Sequence, residues 1–237
     1  MSVYWLIILA IIIAPLLLAT LPPFRLGKKW FSMIRAIGLV SPLFIVWDIV
    51  VTARGDWHFN PAYVRSGTFF NLPWEEVLFF VVVPFACLFL YEGFIKYIPD
   101  RKVPYQKKIY LLVAGLALLG TVLLDDLNYT ATVLWATTFV LLLAATRWQG
   151  LFSSLNYWRW LGASTLLFMF FNYFLTSLPV VVYNPLAITN FRFLTIPIED
   201  FLYNFCLLTA YAGIYNSPPN PLSLRFQRRE LPLKGGA

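Results

Sequence analysis

Seven long apolar runs restrict this chain to a membrane fold. They fall near residues 3–21, 33–52, 74–95, 109–124, 129–146, 158–178 and 197–215. A bilayer core about 30 Å thick takes about 20 mostly apolar residues per helical span. Of the 237 residues, 60% are hydrophobic and 12% are charged, which leaves too little polar surface for a soluble domain. The pattern predicts an all-α integral membrane protein with seven transmembrane helices.

The distribution of basic residues predicts how the chain crosses the membrane. Of the 18 lysines and arginines, 15 lie in or beside the connections after spans 1, 3 and 5 or in the C-terminal segment, and three lie on the other side. Because basic residues are retained in the cytoplasm, we expect a multi-pass cell-membrane protein with its N-terminus outside and its C-terminus inside. The net charge of +7 then faces membrane lipids, and no nucleic-acid partner is expected.

A three-span unit occurs twice, at an offset of 124 residues and without a gap. Pro73-Trp74-Glu75-Glu76 aligns with Pro197-Ile198-Glu199-Asp200, and Asn60-Pro61 aligns with Asn184-Pro185. Three spans reverse the direction of the chain, so a second copy in the same orientation needs one intervening span, which the fourth run supplies. We therefore predict two parallel three-helix repeats joined by a spacer helix (3+1+3). The predicted units are the first repeat at 1–96, the spacer helix at 97–126, the second repeat at 127–216 and a disordered basic tail at 217–237.

Carboxylates are the main candidates for chemistry in the predicted membrane region. The two Pro-x-Glu-acid segments begin spans 3 and 7, which start on the same side of the membrane, so they can converge on one site. Ionisable groups at membrane depth are costly and usually functional. Two neighbouring carboxyl groups in a low dielectric do not both ionise easily, so one keeps its proton as an acid beside a carboxylate base. The structural alternative is that the helix dipole favours acids in a first turn. The catalytic candidates are Glu75, Glu76, Glu199 and Asp200.

Further polar and aromatic residues surround these segments. Asp48 and its repeat equivalent Asn172 lie within spans 2 and 6, although Asp48 could simply pair with Arg54. Aromatic residues make up 19% of the chain and suit either an interfacial belt or a ring of π faces around a cation. The supporting or substrate-binding candidates are Pro73, Pro197, Asn60, Asn184, Asp48, Asn172, Trp74, Phe79 and Tyr203.

Other classes of site lack the necessary residues in this sequence. The only histidine is His58, and no lysine lies within the seven runs to form a Schiff base. No Gly-x-Gly-x-x-Gly segment occurs, so we expect neither a metal nor a nucleotide cofactor. Cys87 and Cys206 both lie in apolar runs, where we interpret them as packing thiols.

At these residues the chain resembles the integral-membrane lycopene cyclases. The resemblance rests on the doubled Pro-x-Glu-[Glu/Asp] at 73–76 and 197–200, the three-span halves and the spacer helix, and it covers nearly the whole chain up to the tail. It implies that the linear ψ end groups of lycopene become β-ionone rings, giving γ-carotene and then β-carotene. That reaction is a redox-neutral isomerisation (intramolecular lyase) in which Glu75, Glu76, Glu199 and Asp200 carry function. The hydrocarbon substrate would reach the site through lipid.

Three alternatives stay open at the level of the sequence. An ε-ring cyclase, a C50 carotenoid cyclase or a carotenoid hydratase would use the same protonation step. A small-solute transporter of the SWEET type also has parallel three-span repeats joined by one helix. The third is a structural role in assembling other carotenoid-pathway enzymes, which would then be partners.

Overall fold

Helices form at every apolar run of the sequence. The computed structural model describes residues 2–27, 29–65 and 67–218, so most of the predicted tail lies outside the described residues. The α-helices are α1 (Val3–Thr20), α2 (Lys29–Arg54), α3 (Trp74–Tyr97), α4 (Lys107–Leu123), α5 (Asn128–Thr146), the short α6 (Gln149–Phe152), α7 (Leu155–Ser177) and α8 (Ile198–Asn216). A 3-10 turn at Pro22–Phe24 links α1 to α2.

Four of the described helices are long and apolar enough to cross a membrane. They are α1, α2, α3 and α5. With 17 residues, α4 is shorter than the roughly 20 that a span needs. Polar side chains, such as Arg159 in α7 and Asn204 in α8, make the other two less apolar. The protein is therefore mostly helical with four candidate spans, while the seven-span arrangement and the orientation of the termini stay predictions.

Large apolar side chains cover the outer faces of the long helices. Leu17 of α1, Leu43 of α2 and Leu166 of α7 are 65%, 69% and 67% exposed. A continuous apolar surface of this kind is unfavourable in water and suits the acyl chains of a bilayer. This exposure is consistent with a membrane protein.

Elements of the first half recur in the second half after 124 residues. Three short strands, β1 (Trp57–Phe59), β2 (Thr68–Phe69) and β3 (Leu72–Pro73), have equivalents in β4 (Val181–Tyr183), β5 (Arg192–Phe193) and β6 (Ile196–Pro197). In each half the last two strands pair as a tight hairpin, and the next residue begins a long helix, α3 or α8. The two halves thus fold alike around the acidic segments.

The first helices of the two halves depart from this register by one residue. The amide of Tyr4 donates to the carbonyl of Tyr63, and the amide of Tyr129 donates to the carbonyl of Ala187. Tyr63 and Ala187 are 124 residues apart (187 − 63), whereas Tyr4 and Tyr129 are 125 apart (129 − 4). The gap-free alignment is therefore wrong for α1 and α5, because the chain between the two contacting residues is one residue shorter in the second half than in the first.

The two halves meet in the antiparallel pair of β1 and β4. His58 pairs with Val182, which is its own equivalent 124 residues later, so a local twofold axis passes through this pair. Beyond the strands, α2 packs against α8 and α7 packs against α3. Each half therefore packs its second helix on the third helix of the other half. This exchange brings the first turns of α3 and α8 to one place.

Candidate active site

A cavity of about 70 Å³ lies between the two halves and contains three carboxyl groups. They belong to Asp48 of α2, Glu76 of α3 and Asp200 of α8, and all three residues are buried. Asn172 of α7 is at the position equivalent to Asp48 and also lines the cavity. The acidic segments of the two halves therefore contribute to one site.

The hairpins before α3 and α8 set the direction of the acids. Phe70 and Leu194 occupy equivalent turn positions and have φ of 54° and 56°, a left-handed conformation that is unfavourable for residues other than glycine. Pro73 and Pro197 are the N-cap residues of α3 and α8. The next residues begin the helices, so both acids of each segment lie in a first turn.

Glu76 and Asp48 form a hydrogen-bonded carboxyl pair. The hydroxyl of Tyr4 donates to Oε2 of Glu76 at 2.5 Å, and the carboxyl groups of Glu76 and Asp48 are hydrogen-bonded to each other. The hydroxyl of Tyr203 donates to Oδ1 of Asp48 at 3.3 Å. A hydrogen bond between two carboxyl groups needs a proton on one of them. This side of the cavity can therefore hold a carboxylic acid.

Asp200 has a different environment because it accepts three hydrogen bonds. The hydroxyl of Tyr129 donates to Oδ1 at 2.9 Å, the hydroxyl of Tyr183 donates to Oδ2 at 2.7 Å, and Nδ2 of Asn172 donates to Oδ2 at 3.0 Å. Several donors favour the ionised form of a carboxyl group. Burial and the nearby Asp200 raise the pKa of Tyr183 well above its ordinary value, so this phenol stays a neutral donor. These hydrogen bonds from the second half thus offset part of the cost of burying Asp200 as a carboxylate.

Glu75 and Glu199 lie outside the cavity lining and accept hydrogen bonds from the long connections that precede α3 and α8. Oε1 of Glu75 accepts from Oγ of Ser2 at 2.8 Å and from the amide of Arg65 at 3.3 Å. Oε1 of Glu199 accepts from Oγ1 of Thr130 at 2.8 Å and from the amide and hydroxyl of Thr189, both at 2.7 Å. These bonds join each long connection and each first helix to the acidic segment. Of the four catalytic candidates, Glu76 and Asp200 therefore line the cavity.

The remaining sequence candidates divide into lining residues and residues that shape the loops. Phe79 and Tyr203 line the cavity. The side chains of Asn60 and Asn184 accept from backbone amides two residues later, both at 3.0 Å, and so form equivalent turns. Trp74 is 43% exposed and packs against a neighbouring ring of the hairpin.

Arg54 forms an ion pair with Asp56 and not with Asp48. Its Nε donates to Oδ2 of Asp56 at 3.1 Å, and its Nη2 makes the closer contact with the same oxygen. The alternative that Asp48 serves as the partner of Arg54 is therefore wrong. The described contacts of the Asp48 carboxyl are with cavity residues.

Aromatic rings form much of the cavity wall. Trp57 meets Tyr129 edge-on at 4.9 Å between centroids and Tyr183 at 5.8 Å. Nε1 of Trp57 is buried and has no hydrogen-bond partner among the described residues. Phe59 and Phe168 line the same cavity. Such a wall excludes water and offers π electrons to a cation.

Sequence reasoning named Tyr203 but missed the other tyrosines that hold the carboxyl groups. Tyr4 and Tyr129 occupy equivalent places in the two halves but lie one residue outside the register of 124. A search that allowed a one-residue gap would have aligned them. Tyr183 lies directly before the Asn184-Pro185 segment and is equivalent to Phe59, so the repeat gave no matching residue there.

Within 2–27, 29–65 and 67–218, no group of three or more His, Cys, Asp or Glu side chains has an arrangement that could hold a metal ion. Cys87 and Cys206 are free thiols. Burial raises the cost of ionising such groups and suits the packing role expected for both.

The family described as lycopene cyclase matches the chain over residues 1–94 and 126–217. The two matched segments contain the two halves described above, and residues 95–125 between them include α4. Comparison with curated proteins gave no match, and comparison with solved structures gave none either.

Proposed function

Because the chain belongs to the lycopene cyclase family, we propose that it is a lycopene β-cyclase. It would convert the linear ψ end groups of lycopene to β-ionone rings and so form γ-carotene and then β-carotene. The observation that supports this best is the aromatic cavity, which contains both a hydrogen-bonded carboxyl pair and a separately stabilised carboxylate. Such a site has the groups that a proton-initiated cyclisation requires.

The proposed reaction begins at the pair of Glu76 and Asp48. The protonated carboxyl of this pair transfers its proton to the terminal carbon–carbon double bond of the substrate, which leaves a cation on the neighbouring carbon. The next double bond attacks that cation, so a carbon–carbon bond closes the ring and the positive charge moves to a ring carbon. The carboxylate of Asp200 then removes a different proton, and the electrons of that C–H bond form the ring double bond.

No net electrons are transferred in this sequence. One proton is added and another is lost, so product and substrate are isomers. The reaction therefore requires neither a flavin nor a nicotinamide as oxidant or reductant. Turnover needs only that Asp200 releases its proton and that the Glu76–Asp48 pair regains one, both by exchange with solvent.

The cavity wall would stabilise the cation between these steps. The negative charge of Asp200 and the rings of Trp57, Tyr129 and Tyr183 surround the space in which the charge forms. Electrostatic stabilisation of this kind is strongest where water is excluded. A dry wall also favours loss of a proton over addition of water, which supports a cyclase over a hydratase.

The ring type depends on which proton the base removes. Loss of the proton from one neighbour of the ring cation gives the β double bond, and loss from the other neighbour gives the ε double bond. We propose the β outcome, and an ε-ring or C50 cyclase is the second candidate because it would use the same carboxyl groups. The seven spans, an outside N-terminus and access of the carotenoid from lipid are parts of the same proposal.

Expression in a lycopene-accumulating bacterium tests the product directly. We expect red lycopene to be replaced by γ-carotene and β-carotene, identified by chromatography and mass against cells with an empty vector. An ε-ring product would shift the proposal to the second candidate, and a hydroxylated product would identify a hydratase. Unchanged lycopene in cells that contain the folded protein would contradict the proposal.

Heavy water tests the proton steps. Protein reconstituted in lipid vesicles should convert lycopene in ²H₂O buffer without added flavin or nicotinamide. Each new ring should carry one deuterium, because the proton that the acid donates exchanges with solvent while the proton removed comes from the substrate. Mass spectrometry of γ-carotene and β-carotene would then show one and two deuterium atoms. Strict dependence on a redox cofactor would contradict the redox-neutral mechanism.

A further inference from the structure

An apolar groove of about 280 Å³ adjoins the carboxyl cavity. It runs between α1, α3, α7 and α8, and its lining is almost entirely apolar. Five residues line both the groove and the carboxyl cavity: Phe79, Phe168, Asn172, Leu175 and Tyr203. The two spaces are therefore neighbours that share a wall.

Small side chains leave the groove open along α1. Ala10 and Ala14 are exposed and lie four residues apart, so they occupy the same face of the helix. Ala86 of α3 lines the groove on another side. With only methyl groups at these positions, the groove has room for a flat chain. The exposed alanines place its opening on the outer surface of the helical bundle.

The equivalent space in the other half is filled. Phe44 and Trp47, which are equivalent to Phe168 and Phe171, stack on each other at 5.8 Å, and Phe44 meets the ring of Phe80 at 6.5 Å. Tyr211, which is equivalent to Cys87, is fully buried, and its hydroxyl is 2.9 Å from Oγ of Ser41. The ring of Tyr211 thus occupies a position where the groove has the smaller Cys87, and Phe44 and Trp47 stack on each other where Phe168 and Phe171 line the groove.

The connection between the halves adds to this asymmetry. In the second half α4 packs along α5, which is the equivalent of α1. The α4–α5 contact is close: Oγ1 of Thr138 is 3.4 Å from the carbonyl of Ala114. The groove next to α1 has no corresponding helix among the described residues. The two halves therefore differ in what packs along their first helices.

We propose that this groove binds the linear polyene arm of the substrate and that the protein works through this single opening. This inference rests on the proposed cyclase function. A cavity of about 70 Å³ can take part of a carotenoid end group but not the chain attached to it, so the rest must lie in an adjoining apolar space. The groove is such a space, and its open side faces the surface where lipid would be. The ψ end would enter between α1 and α7 and reach Glu76 with the polyene trailing behind.

One opening implies one ring for each binding event. After the first cyclisation the new ring occupies the carboxyl cavity while the second ψ end lies far along the polyene. The monocyclic product must then leave and bind again in the opposite direction. With lycopene in excess, lycopene competes with γ-carotene for the same groove, so free γ-carotene should accumulate before β-carotene appears.

Filling the groove tests the proposal at positions away from the carboxyl groups. Ala14→Phe and Ala86→Phe should each lower both the lycopene that co-purifies with the protein and the rate of ring formation by at least about tenfold, because extra side-chain atoms occupy the polyene site. Leu17→Phe is the matched control, since Leu17 is on the same helix as Ala14, is 65% exposed and lies outside the groove lining. It should retain normal binding and rate. Amounts are normalised to protein that elutes as a single species in detergent.

Glu76→Gln distinguishes substrate binding in the groove from proton transfer at the carboxyl pair. This variant should still co-purify with lycopene while forming few rings. Normal binding and normal rates in both groove variants would overturn the groove but leave the cyclase proposal standing. If the wild-type protein binds lycopene and the two groove variants do not, the groove is supported. If that wild-type protein nevertheless forms no ring, the cyclase proposal is contradicted. Release of β-carotene without free γ-carotene under excess lycopene would contradict the single opening.

Discussion

Glu76→Gln is expected to lower the rate of ring formation by about 10²- to 10⁴-fold, the usual contribution of a positioned acid or base. Glutamine keeps the shape of the side chain and can still accept from Tyr4, but it cannot supply the acidic proton of the carboxyl pair. The protein should therefore reach the membrane at its normal level. Initial rates in lipid vesicles, normalised to folded protein, measure the loss.

Glu75→Gln is the matched control because Glu75 is the neighbouring acid on the same helical turn. Its Oε1 accepts from Ser2 and from the amide of Arg65, and a glutamine oxygen can accept both bonds. We expect a rate within a few-fold of wild type, since a typical hydrogen bond contributes about 0.5–1.5 kcal/mol to stability. Equal losses in Glu75→Gln and Glu76→Gln, with both proteins folded, would contradict the assignment of the acid to Glu76.

Asp200→Asn is expected to cause a loss of similar size, about 10²- to 10⁴-fold in rate. The substitution removes both the proposed base and the negative charge beside the cation, while an amide oxygen can still accept from Tyr129 and Tyr183. Chromatography of pigments over time would follow the loss. Glu199→Gln is the control, because Glu199 bonds to Thr130 and Thr189 outside the cavity.

The double variant Glu76→Gln/Asp200→Asn shows whether the two groups act as one unit. Residues that serve the same step are strongly non-additive, so the double variant should be only slightly slower than the slower single variant. If the two losses multiplied fully, the groups would act independently, and the proposed acid and base would not belong to one reaction.

The sequence by itself determined the helices and the doubled acidic segments. Each apolar run of about 20 residues forms a helix in this protein. The length and apolar character of a run are properties of that stretch of sequence alone, and they match the thickness of a bilayer. The helices α1 to α5, α7 and α8 accordingly follow the seven runs closely. The match of 73–76 with 197–200 is also a property of the sequence alone. The family match over 1–94 and 126–217 confirmed the resemblance that these residues indicated.

Only the tertiary structure decided which acid of each pair faces the cavity. Neighbouring residues on a helix point about 100° apart, so a motif with two adjacent acids does not say which one faces inward. The rotation of α3 and α8 is set by their packing against α7 and α2 of the other half. That packing turns Glu76 and Asp200 inward and leaves Glu75 and Glu199 to fasten the loops.

The tyrosine donors and the open groove also depend on contacts between distant parts of the chain. Tyr4 reaches Glu76 across 72 residues, and Tyr129 reaches Asp200 across 71. The groove is lined by the small side chains of Ala14 and Cys87, whereas the buried ring of Tyr211 fills the position equivalent to Cys87. No local pattern encodes such a difference, since a void depends on which side chains meet after the helices have packed. The sequence thus determined the elements and their repetition, and the packing between the halves determined the site.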